Sequence, residues 1–149
     1  MYICRKLIMV IDKELFDRLT QQAKESPRLR MNYDLRNSDA DQSQRMLNAI
    51  EPGSPLPIHR HKNTSETVVC LRGHLVEYLY GYTRTLNDGT PDPESFGVIE
   101  KVDMVPGGVV LNIPAGQWHT VKSLESGTVL IEMKNGAYEP ISEDDIKRE

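Results

Sequence analysis

Apolar and polar positions alternate with a period of two along most of this chain, and turn residues interrupt the alternation at short intervals. From Gly53 onward the pattern predicts strands at 58–61, 67–71, 75–82, 98–105, 109–113, 119–123 and 128–134. The breaks fall at Gly73, Asn87-Asp88-Gly89, Pro106-Gly107-Gly108, Pro114-Ala115-Gly116 and Ser126-Gly127, and the stretch from Leu86 to Gly97 reads as the longest loop or hairpin tip. Short strands at such spacing argue for an all-β sandwich or barrel. One segment has a different period. Leu15, Phe16, Leu19 and Ala23 form an apolar stripe at helical spacing, Asp12 is a good N-cap, and Pro27 ends the run, so a helix is expected over residues 12–24. Its stripe reads as packing. Residues 28–50 are polar and arginine-rich, with a strand expected at 44–50, and residues 142–149 read as a solvated tail.

The chain has 149 residues, enough for one domain, expected over residues 1–141, with a core that needs no disulfide staples. Cys4 and Cys70 show no pairing pattern and read as free thiols in a reducing cytoplasm, the expected location. No apolar run approaches the ~18 residues of a membrane span, and the first eleven residues lack the features of a signal peptide. Residues 1–9 read as an extension. Charge is uneven: eleven Lys/Arg face eight Asp/Glu up to Lys62, and seven face fourteen beyond it. A net charge of −4 argues against nucleic acid as a partner.

Candidate chemistry concentrates in the histidines. There are four, and His59 and His61, one residue apart on an expected strand, would share a face. Glu66 follows five residues later, and His119 sits in a further strand after Pro114-Ala115-Gly116. Three imidazoles and one carboxylate suit a divalent transition metal with room for water or substrate. The fourth histidine, His74, follows a turn glycine and reads as a surface or rim residue.

At these residues the chain resembles the cupin superfamily. Gly53, His59, His61, Glu66 and Gly73 match the first cupin motif, G-x5-H-x-H-x4-E-x6-G, at every position. Gly108, Pro114, Gly116 and His119 match the second, G-x5-P-x-G-x2-H-x3-N, with Ser123 at its final position instead of Asn. The resemblance implies a double-stranded β-helix (jelly-roll) barrel with His59, His61, Glu66 and His119 as ligands of one metal, zinc, iron, manganese or nickel. The order of features over residues 10–141 is similar to the WbuC-type cupin-fold metalloproteins, whose members are often encoded among polysaccharide or O-antigen genes. That likeness implies the fold and the metal but not the reaction. The superfamily often pairs barrels through N-terminal strands, so the cupin resemblance makes a homodimer an expectation.

Beside the metal, Arg28, Arg30, Asn32, Arg45 and Asn48 are candidates to bind an anionic carbohydrate, because guanidinium forks suit phosphate or carboxylate and amides suit hydroxyls. Arg28, Arg30 and Asn32 would share a face if extended. The competing reading is a solvated loop whose arginines pair with Glu25, Asp34, Asp39 and Asp41. Lys134 and Tyr138 are weaker candidates, and Tyr78, Tyr80 and Tyr82 read as packing on one strand face. Three functions follow: a metal-dependent isomerase or epimerase acting on a sugar or sugar nucleotide in polysaccharide biosynthesis, an Fe(II)-dependent dioxygenase, and a non-catalytic module for an anionic sugar. No G-x-S-x-G or phosphate-cradling glycine loop is present.

Overall fold

The computed structural model describes residues 8–148, so the expectations for Cys4 and for most of the 1–9 extension lie outside the described residues. One helix precedes ten strands. Helix α1 (Lys13–Glu25) starts at Asp12, whose carboxylate accepts from the Leu15 amide, and ends at Ser26. The strands are β1 (Arg30–Asp34), β2 (Ser43–Ile50), β3 (Ile58–His59), β4 (Glu66–Arg72), β5 (Leu75–Tyr82), β6 (Phe96–Met104), β7 (Val110–Ile113), β8 (Trp118–Ser123), β9 (Thr128–Asn135) and β10 (Ile146–Lys147). They form two antiparallel five-stranded sheets, ordered β1-β2-β9-β4-β7 and β10-β3-β8-β5-β6.

The fold is all-β, as the alternation implies, with one correction to the expected barrel. Among the described residues no strand pairs from one sheet to the other, so the two layers face each other without closing. The chain crosses between the layers at almost every connection. Side chains from β2, β4 and β9 therefore meet side chains from β3, β5 and β8 in a shared interior.

Both faces of the first sheet are covered, and the period-two rule sorts its residues between them. Leu47, Ala49 and Val129 point outward against Leu15, Leu19 and Ala23 of α1. Ile50, Val68, Cys70 and Leu130 point inward to meet Leu75, Met104 and Ile113. Arg72 ties the helix down: its guanidinium donates to the Gly127 carbonyl, the Thr20 hydroxyl and the Asp17 carboxylate. Gly73 makes the turn into the second sheet with φ of 83°, and a Cβ there would collide with the Thr128 side chain and backbone. Only glycine fits.

Three local expectations are revised. Arg28 does not share a face with Arg30 and Asn32, because Leu29 takes φ of 53° and the strand begins only at Arg30. The strand expected over 58–61 stops at His59. Residues 142–148 are not a solvated tail: a 3-10 turn at Glu143–Asp145 leads into β10, which pairs with β3. The Asp145 carboxylate, 5% exposed, accepts from Arg60 at 2.7 Å and from Ser142 at 2.9 Å. One charge that looked solvated in sequence, Asp145, is buried and paired with Arg60 and Lys62 just after β3.

Candidate metal centre and cavity

His59 and His119 are direct partners across β3 and β8, and their rings lie 4.4 Å apart between centroids. His61 lies beyond the end of β3, yet its ring is 5.0 Å from that of His59 and 5.8 Å from that of His119. The backbone holds it there through the Gly116 amide, which donates to the His61 carbonyl at 2.8 Å. One ring nitrogen from each histidine falls within 4.8 Å of the other two. Glu66 opens β4 in the opposite sheet, with Oε2 3.2 Å from His61 Nε2 and 3.7 Å from His119 Nε2. The structure thus gathers the three histidines in one cluster with Glu66 against it.

Backbone carbonyls set the tautomers. His59 Nδ1 lies 3.1 Å from the Pro57 carbonyl and His119 Nδ1 2.9 Å from the Gln117 carbonyl. A carbonyl can only accept, so in the neutral ring each Nδ1 carries the hydrogen and each Nε2 keeps its lone pair. Such an outer hydrogen bond orients a metal-binding imidazole. The Gln117 side chain is itself anchored to the carbonyls of Tyr80 and Trp118. His119 Nε2 and Glu66 Oε2 are both buried without a hydrogen-bond partner. Buried polar atoms without a hydrogen bond are costly, and a divalent cation among these nitrogens and the carboxylate would satisfy them, adding to the ion-pair neighbours of Glu66. The residues fit a transition metal.

The electrostatics are those of a crowded, buried site. Burial and the neighbouring His119 push His59 down to about 4. Burial pulls Glu66 upward, but the His119 and His61 rings and the Lys134 ammonium hold it well below the usual carboxylate range. Burial lowers and Glu66 raises His119, with Glu66 prevailing.

The cluster opens into a cavity of about 950 Å³. Arg30, Asn32, Arg45 and Asn48 line it, whereas Arg28 is exposed outside it. The arginines divide by partner. Arg36 forks onto Asp34 and Arg45 reaches Asp41 and the Leu35 carbonyl, as the competing loop reading has it. Arg30 donates to the Pro55 carbonyl at 3.0 Å and has no carboxylate partner among the described residues. His74 lies outside the cavity, 2.8 Å from Asp103.

Two carboxyls in this cavity escaped the sequence reading. Glu132 follows Leu130 on the inward face of β9, where burial raises it to about 7 with the Glu66 charge adding to the effect. Lys134 Nζ lies 3.2 Å from Glu132 Oε1 and 3.4 Å from Glu66 Oε2. Glu77, 2% exposed, lies between Leu75 and Leu79 on the inward face of β5. The available signal was a carboxylate in phase with core leucines, obscured by the tyrosines on the opposite face of the same strand.

This fold is that of the cupins. Over 95% of its length the chain superposes on recombinant oxalate oxidase in complex with glycolate, covering 74% of that chain at 16% identity with a TM-score of 0.60. KdgF from Halomonas sp. matches over 76% of this chain and 84% of its own, with 14% identity and a TM-score of 0.56. The capsular polysaccharide assembling protein CapF from Staphylococcus aureus matches over 78% of this chain at 21% identity and a TM-score of 0.55, and the chain spans 30% of CapF. No curated protein matches the chain. The chain belongs to a domain family of unknown function, DUF6016, whose model matches residues 11–88.

Proposed function

We propose that this protein is a single-domain, WbuC-type cupin that holds one divalent transition metal through His59, His61, His119 and Glu66 and acts on a small anionic carbohydrate, such as a sugar or sugar nucleotide, in polysaccharide assembly. The carrying observation is the convergence of three imidazoles with two buried atoms that lack a hydrogen bond, His119 Nε2 and Glu66 Oε2, in the wall of a cavity. When bound, the metal would supply a Lewis acid that polarises a carbonyl or hydroxyl. Arg30 would attract a carboxylate or phosphate, and Asn32 and Asn48 would meet hydroxyls. The Glu132–Lys134 pair could accept and return a proton, which suits isomerase or epimerase chemistry better than the histidines alone. The likeness to CapF supports the polysaccharide setting, and exposed Val98, Ile99 and Val110 on edge strands β6 and β7 support a homodimer. A cytoplasmic location belongs to the same reading. No helix among the described residues is long and apolar enough to cross a membrane.

A second reading is an Fe(II)-dependent dioxygenase, which the ligand set of three histidines and one glutamate would suit and which shares oxygen chemistry with the oxidase among the similar structures. A third, binding without catalysis, would use the same residues.

Elemental analysis of protein purified without added metal tests the site. Wild type and His74→Ala should each carry about one metal ion per chain, and His59→Ala and His119→Ala should lose tight binding. Retained stoichiometric metal in His119→Ala would refute the ligand assignment. Iron in the wild type would direct the next assay to oxygen uptake, and zinc or manganese would direct it to sugar nucleotides.

A further inference from the structure

The cavity has two polar tiers. The upper tier holds His59 and His119, paired across one sheet, and Glu66 and Lys134, paired across the other. One residue pair deeper, Glu77 stands opposite Val121 and Glu132 opposite Val68. Further along the same strands the interior is apolar, with Leu130 in the cavity wall and Cys70, Leu75 and Met104 packed behind it. Glu132 has Lys134 as a partner. Glu77 is different: Oε2 is buried, lines the cavity and has no hydrogen-bond partner.

A carboxyl group in this position works against the fold. Burying a polar group without a partner costs stability, and on its own strand Glu77 lies between Leu75 and Leu79. No contact given by Glu77 holds an element in place, as those of Arg72 and Asp145 do. Burial, with the Glu66 and Glu132 charges nearby, raises Glu77 well above the usual carboxylate range. Cross-strand register puts Leu79, not Glu77, directly opposite His119, so Glu77 is a diagonal neighbour at roughly 7–8 Å, about the reach of one small molecule.

We propose that Glu77 is a ligand-binding residue, whose carboxyl hydrogen-bonds a hydroxyl or carbonyl oxygen of a polar small molecule extending from the histidine cluster into the lower tier. This rests on the reading of the cavity as the ligand site. It narrows the ligand to an oxygen-rich molecule with a polar group at its deep end. An apolar or aromatic end would leave Glu77 orphaned.

The test compares wild type with Glu77→Gln and Glu77→Leu, measuring metal per chain, thermal midpoint without metal, and affinity for D-glucuronate as a probe that combines a carboxylate with hydroxyls. Metal content should be the same in all three. Glu77→Leu should raise the midpoint by about 2–4 °C, because it removes an unsatisfied group from an apolar shell. Glucuronate binding should weaken about tenfold or more in Glu77→Leu and change much less in Glu77→Gln, whose amide still donates. A lowered midpoint in Glu77→Leu with unchanged glucuronate affinity would make Glu77 a structural residue and overturn the inference. Failure of the wild type to bind glucuronate would overturn the ligand class. Absence of metal from the wild type, with glucuronate binding still dependent on Glu77, would refute the metal reading and leave this one standing.

Discussion

His59 is held neutral by its surroundings, and this has a pH consequence. With the folded value near 4 and an ordinary unfolded value near 6.5, the unfolded chain binds more protons between those limits. The stability that comes from keeping His59 neutral is therefore complete above 6.5 and is lost as pH falls toward 4. The difference in unfolding free energy between metal-free wild type and His59→Asn should shift against wild type over this window, by on the order of 3 kcal/mol at most. Denaturant titrations at pH 7 and pH 4 measure it, and a constant difference would show that the ring is not buried neutral. His119 opposes this trend. Its folded value is raised, so its contribution is present at low pH and fades as pH rises through that value. Total stability mixes the two, which is why the variant comparison is needed.

Among the elements, the short pair β3 and β10 controls the mouth of the cavity. Strand β3 is only two residues long, so its position depends on its neighbours more than on its own ladder. On one side β8 pairs His59 with His119; on the other, β10 pairs with it and the Arg60 amide donates to the Asp145 carbonyl. The Asp145 carboxylate adds Arg60 and Lys62, and Arg60 also lies over the Trp118 ring. Asp145→Ala should release this strap. Amide exchange at Arg60 and Ile146 should accelerate about tenfold or more, while the β2–β9 ladder keeps its protection. Unchanged exchange at Arg60 would mean that the backbone pairing holds without the buried carboxylate.

At the scale of the whole molecule, the first sheet separates two cores with different duties. The outer core, between α1 and β2 and β9, contains no ligand-cluster residue and serves stability. The inner core ends beneath the carboxyl tier and sets the depth of the cavity. Leu19 is 1% exposed in the outer core. Leu19→Ala should cost about 2–5 kcal/mol of unfolding free energy and leave metal stoichiometry intact at temperatures where the variant is folded. Loss of metal from the folded variant would show that the helix also positions the cluster. A third apolar group, Ile58, Tyr80 and Trp118 with Phe96 against them, backs the second sheet behind His59 and His119.

The sequence by itself determined the class of fold, the helix, seven of the strands near their observed limits and the histidines that come together. Those features are local: period, turn chemistry and motif spacing are properties of short windows. It could not reveal whether the barrel closes, that the C-terminal segment is strapped to β3, or which arginines are already occupied by Asp34 and Asp41, because each depends on partners distant in the chain or on backbone geometry. The same holds for Glu77 and Glu132. In sequence they are single acids within strands, and only the facing of two sheets buries both in one cavity, where desolvation and the nearby Glu66 charge raise them.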